Sequence, residues 1–157
     1  MNPASAYRVD RNTLRTNQGG IVLFCVLGFI LGDEVGRWFV FGTGLVLTAG
    51  TFSASLALFM QFHRRVLLPT GILGADVHVE DPMPHQFAQA MGAVMLLLAT
   101  AAFFAGAITA AWVLTWLVAT FAFINVALSF CAGCFIYYQL DKIGLLPASI
   151  ASSRAGR

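Results

Sequence analysis

FAFINVALSFCAGCFIYYQL, residues 121–140, is an apolar run with Asn125 in its middle and a Cys-x-x-Cys pair, Cys131 and Cys134, near its end. It closes a longer apolar segment, Ala111–Leu140, well above the roughly 20 residues that a helix needs to cross a bilayer. On one continuous helix, residues three apart share a face. The two thiols would then form a disulfide, exchange with another disulfide, or supply two ligands to a soft metal. About 20 residues at 1.5 Å each span about 30 Å, one hydrocarbon core, so the pair is expected near the far membrane face.

Composition agrees with a lipid environment. The chain has 157 residues, 59% of them hydrophobic and 10% charged, with a mean hydropathy of +0.80. Soluble domains carry about 25% charged residues, and a chain this short leaves too much surface outside for so apolar a sequence to be hidden in a core. The opening MNPASAYRVDRNTLRTNQ is polar, which argues against a cleaved signal peptide. The closing SIASSRAGR reads as a short tail. No run of interleaved basic and aromatic residues suggests nucleic acid.

Four spans are expected, at about 17–32, 38–62, 87–108 and 111–138, giving an all-α integral membrane four-helix bundle. A polar segment 1–16 precedes them, a tail 141–157 follows, and a loop 63–86 with three of the five prolines divides them. A tight uncharged turn is expected around Thr109. Four spans place both termini on one side. Arg8, Arg11, Arg15, Arg64, Arg65, Lys142, Arg154 and Arg157 fall on that side and Arg37 alone on the other. The positive-inside rule then makes the termini and the middle loop cytoplasmic, in a plasma (inner) membrane.

The halves resemble one another. With Asp10 set over Asp81, Gln18 falls over Gln89, and an apolar helix follows each; Leu-Leu-Pro closes both halves. Two tandem helical hairpins, a parallel repeat, are expected. Small residues recur at helical spacing, as Ala49, Ser53 and Ala57 and as Ala88 and Gly92, the pattern that lets membrane helices approach closely.

Other residues offer weaker chemistry. Asn125 reads first as an interhelical hydrogen bond and second as a contact for a bound molecule. Glu80-Asp81 before Pro82 and Pro84 suits the start of the third helix, whose dipole favours acidic groups. This loop is expected to pack as a lid beside the thiols. His63, His78 and His85 lie in the loop with Asp76, Glu80 and Asp81 and offer a weak candidate metal site, at a spacing that fits no common ligand pattern; loop histidines are more often simply solvated. Cys25 is too deep in the first span to join the pair. At the C-terminal end of a long helix the dipole would raise the thiol pKa, unless Gly133 breaks the helix. Cys134, nearer the aqueous end, is expected to be the attacking thiol and Cys131 the resolving one.

Glu80-Asp81-Pro82-x-Pro84, Phe87-Ala88-Gln89, Asn125 and Phe130-Cys131-x-Gly133-Cys134 together resemble an uncharacterised bacterial family of small membrane proteins, domain-of-unknown-function family 4395. The resemblance runs from Val9-Asp10 through Tyr137. Gln86 stands where that family usually has arginine, and Phe135 where it tends to have an acidic residue, so charge beside the thiols is lost. The resemblance implies thiol or sulfur handling with a thioredoxin-like or sulfur-transfer partner. It names no cofactor.

Three functions follow as expectations. The first is thiol/disulfide or sulfur handling by a cytoplasmic-side Cys131-x-x-Cys134. The second is an accessory or structural subunit of a larger membrane complex, with an oligomer also compatible. The third is a transporter of a small neutral solute, because no span carries an ionisable residue of the kind that marks ion pathways.

Overall fold

The computed structural model describes residues 8–52, 77–79, 83–128 and 130–143, together with Gln61, Arg65, Val66 and Pro69. These form five helices: α1 (Arg11–Ile30), α2 (Asp33–Phe52), α3 (Met83–Phe104), α4 (Ile108–Leu128) and α5 (Ala132–Ile143). Two three-residue strands, β1 (Arg8–Asp10) and β2 (Val77–Val79), pair antiparallel with Arg8 opposite Val79 and Asp10 opposite Val77. The protein is an all-α bundle to which this small ribbon is added.

Helices α1 and α2 make one hairpin and α3 and α4 a second, as the repeat predicts. Each turn is made the same way. Gly32 (φ 84°) donates its N–H to the Phe29 carbonyl at 3.2 Å, and Gly106 (φ 80°) donates to Phe103 at 3.1 Å. An L side chain in that left-handed region costs about 1–2 kcal/mol, so glycine ends both first helices. Helix α1 packs on α2 and α4, and α3 packs on the same two, so the four helices close a ring. Helix α5 packs on α3. Val40, Leu96, Ala99 and Ala111 are wholly buried at the ring's centre.

Tight glycine contacts bring the helices together. Gly36 faces the Gly28 backbone so closely that a methyl group there would overlap it, and Gly44 rests on Leu96. Buried hydroxyls are satisfied inside their own helices: Thr43 donates to the Phe39 carbonyl at 2.7 Å, and Thr100 and Thr115 donate to Leu96 and Ala111 at 2.8 Å. That closure is what an apolar surrounding demands. Trp112 Nε1–H donates to Asp33 at 2.7 Å and ties the two hairpin turns together. Phe29, Phe103 and Trp112 stack edge to face around it, with centroids 5.0 and 5.1 Å apart.

Large apolar side chains cover the outside, including Phe52 (85% exposed), Leu128 (72%) and Ile30 (71%). Asn12–Ile30, Pro84–Phe104 and Ile108–Leu128 are each long and apolar enough to cross a membrane. This is a membrane protein by its helices, and lipid is the solvent that suits those exposed faces.

Several expected boundaries shift. Helix α2 begins at Asp33, so Asp33, Glu34 and Arg37 belong to its first turns, where the acidic pair suits the helix dipole. The second turn lies at Ala105–Ala107, ahead of Thr109. Helix α3 begins at Met83, so the loop expected to reach residue 86 is shorter and His85 is helical. The expected fourth span, 111–138, is not one helix. Helix α4 stops at Leu128 and α5 begins at Ala132. Glu80, Asp81, Ser53 and Ala57 lie outside the described residues, as does the expected lid.

Candidate functional site

The break between α4 and α5 places Cys131 at a helix start. Its carbonyl accepts the Phe135 N–H at 2.9 Å, the first bond of α5, and its sulfur accepts the Cys134 N–H at 3.2 Å. Cys131 thus caps α5 in the way that serine or aspartate usually does, with sulfur as the acceptor. The expectation of a pair at a helix C-terminus is overturned, and the sign of the dipole's effect on the thiols reverses with it.

Gly133 explains how α5 reaches α3. A methyl group built on Gly133 would overlap the Ala88 side chain and lie 2.8 Å from Ala88 Cα. His85 is three residues before Ala88 and so shares its face. Cys134 Sγ and His85 Nδ1 are 3.6 Å apart. Cys131 Sγ, Cys134 Sγ and a ring nitrogen of His85 all lie within 4.8 Å of one another. Phe87 stacks on the fully buried Tyr137 at 5.6 Å and closes the same α3–α5 contact further along.

The cysteines are free thiols, with Cys134 only 9% exposed and Cys131 more open. The Cys134 side chain, hydrogen-bonded to Cys131, holds the Cys131 thiol far below its ordinary 9.0, at about 5. Partial burial opposes this shift, while the nearby His85 and the Cys134 N–H reinforce it. These contacts favour the thiolate at Cys131, while Cys134, although later in the chain, is the more buried of the two.

Cys131 also faces a cavity of about 100 Å³ in the bundle. Gln18, Gln89 and Asn125 line it together with apolar residues that include Met91 and Phe121. Gln18 and Gln89, equivalent in the two halves of the sequence, thus meet across one space. Gln89 donates to the Leu47 carbonyl at 3.3 Å. The Asn125 side chain makes no hydrogen bond among the described residues and stands in the cavity wall, where the sequence suggested an interhelical bond.

A family model described as a domain of unknown function, DUF4395, matches residues 9–142. The chain belongs to this family. The match takes in the ribbon strand β2, helices α1 to α4, all but the last residue of α5, and the whole Cys131–Cys134–His85 cluster. No curated protein and no solved structure matches the chain.

Within this DUF4395 chain, His85 is the residue that sequence reading grouped with the loop histidines and not with the two cysteines. Its signal was the small-residue pair Ala88 and Gly92, which marks the α3 face where another helix approaches. Cys25 is 3% exposed within α1 and takes no part in the cluster.

Proposed function

We propose that the protein handles thiols or sulfur through Cys131 and Cys134, at the cytoplasmic face of a plasma membrane, with a soluble thioredoxin-like or sulfur-transfer partner. One observation carries this reading: Cys131 caps α5 with its sulfur, beside Cys134 and His85, so its thiolate is stabilised while it stays accessible.

The exchange balances simply. Cys131 thiolate attacks one sulfur of a partner disulfide, forming a mixed disulfide and releasing the other partner sulfur as thiolate. Cys134 gives its proton to His85 and attacks Cys131 Sγ. A Cys131–Cys134 disulfide forms, and the second partner thiolate leaves. The protein pair is oxidised by two electrons and the partner disulfide is reduced; the same steps run backwards with a reduced partner. Sulfane sulfur is carried instead when the Cys131 thiolate attacks the outer sulfur of a partner persulfide, the partner thiolate leaves and a Cys131 persulfide remains; Cys134 then attacks Cys131 Sγ, sulfide leaves and the Cys131–Cys134 disulfide forms.

Purified protein incubated with a thioredoxin-like disulfide tests this reading. Wild type should reduce it stoichiometrically. Cys131→Ser should stop at once, and Cys134→Ser should stall as a mixed disulfide. Wild-type exchange rates in both variants would rule the mechanism out.

A further inference from the structure

We propose that His85, Cys131 and Cys134 form a binding site for a thiophilic d10 cation, Zn(II) or Cu(I). This inference stands apart from thiol exchange, because it needs only the positions of three donor atoms.

The donors suit such a cation. Two thiolates and one imidazole are soft to borderline ligands, and Zn(II) and Cu(I) are the common ions that take them. The distances suit it too. With bonds of about 2.3 Å to sulfur and about 2.0–2.1 Å to nitrogen, tetrahedral angles place two sulfurs about 3.8 Å apart and sulfur and nitrogen about 3.6 Å apart. Cys134 Sγ and His85 Nδ1 already lie 3.6 Å apart, and no pair of the three atoms exceeds 4.8 Å. The widest pair need close by at most about 1 Å, a movement within the reach of cysteine side-chain rotation.

The scaffold around the donors is stiff. The two sulfurs flank Gly133, which lies against Ala88, and the imidazole is one turn before Ala88. The helices that carry the ligands are therefore held together before any cation arrives. Three ligands complete a trigonal Cu(I) site. They leave one position of a Zn(II) site for water or for a thiol. Oxidation to the Cys131–Cys134 disulfide removes both thiolates, so metal and disulfide exclude each other and redox state sets occupancy.

Reduced, metal-free, full-length protein in detergent is the material for the test. Co(II) serves as the spectroscopic probe for the Zn(II) site, and a chromogenic Cu(I) chelator serves as competitor for Cu(I). The expected result is one equivalent bound by at least one of these ions. For Co(II), thiolate charge-transfer absorption and tetrahedral d–d bands should appear and be displaced by Zn(II). Affinity should fall about 100-fold or more in Cys131→Ser and Cys134→Ser, and clearly in His85→Gln. Wild type oxidised to the disulfide should bind nothing, a control that needs no variant to fold. Failure of the reduced wild type to bind either ion stoichiometrically overturns the site. So does binding that survives oxidation or stays as tight in all three variants as in wild type. The same preparation assayed with a thioredoxin-like disulfide separates the two readings, since exchange without metal binding removes only this one.

Discussion

Gly133 lies against Ala88 with no room for a methyl group between them, and this contact between α5 and α3 is what brings Cys134 within reach of His85. Gly133→Ala must push the helices apart. Overpacking of this kind costs about 1–3 kcal/mol. The variant should melt at a lower temperature and lose exchange activity together. Gly42→Ala is the control, because nothing lies within 4 Å of a methyl group there and the site is helical. That change should be neutral or stabilise by about 0.5–1 kcal/mol. Thermal unfolding followed by circular dichroism in detergent measures both.

Cys131 should be reactive well below the usual thiol range. Its pKa is lowered to about 5 from 9.0, chiefly by the hydrogen bond from Cys134. In the metal-free Cys25→Ala protein, alkylation of Cys131 should rise through about pH 5 and level off well before pH 9. Because the folded pKa is depressed, the thiolate's contribution to stability is complete above about pH 9, declines as pH falls, and is gone below about pH 5. Rate against pH, read by mass spectrometry of the Cys131 peptide, checks the first statement. A profile centred near pH 9 would show that Cys134 and His85 do not act on Cys131.

The membrane orientation is open to a direct check. A reporter fused after Arg157 that works only in the cytoplasm should be active, and one that works only after export should be silent. The distribution of Lys and Arg along the sequence supports that outcome, since the expected spans leave Arg37 alone on the opposite side.

Apolar run length and the likeness of the two halves made the two hairpins legible in the sequence, and Ala88 of the small-residue pair lies where α5 meets α3. The break before Ala132 was not legible. Residues 121–140 are apolar throughout, and hydropathy does not distinguish one helix from two when both lie in or near lipid. Only the capping role of Cys131 ends the ambiguity, and cysteine is not among the usual N-cap residues. His85 was hidden for a different reason. It is 49 positions from Cys134, and only the Gly133–Ala88 contact makes them neighbours. Asn125 was legible as a polar group in an apolar helix, but its place in the cavity depends on how all five helices close around that space.

In the proposed exchange Cys131 attacks and Cys134 resolves. Cells expressing wild type or Cys134→Ser, quenched in acid, alkylated and digested, report it through the mass of the peptide that holds residues 131 and 134. Wild type should show a measurable disulfide fraction. Cys134→Ser should accumulate a mixed disulfide on Cys131, with the attached partner identifiable. A fully reduced Cys131 in both strains, alkylated only after denaturation, would contradict it.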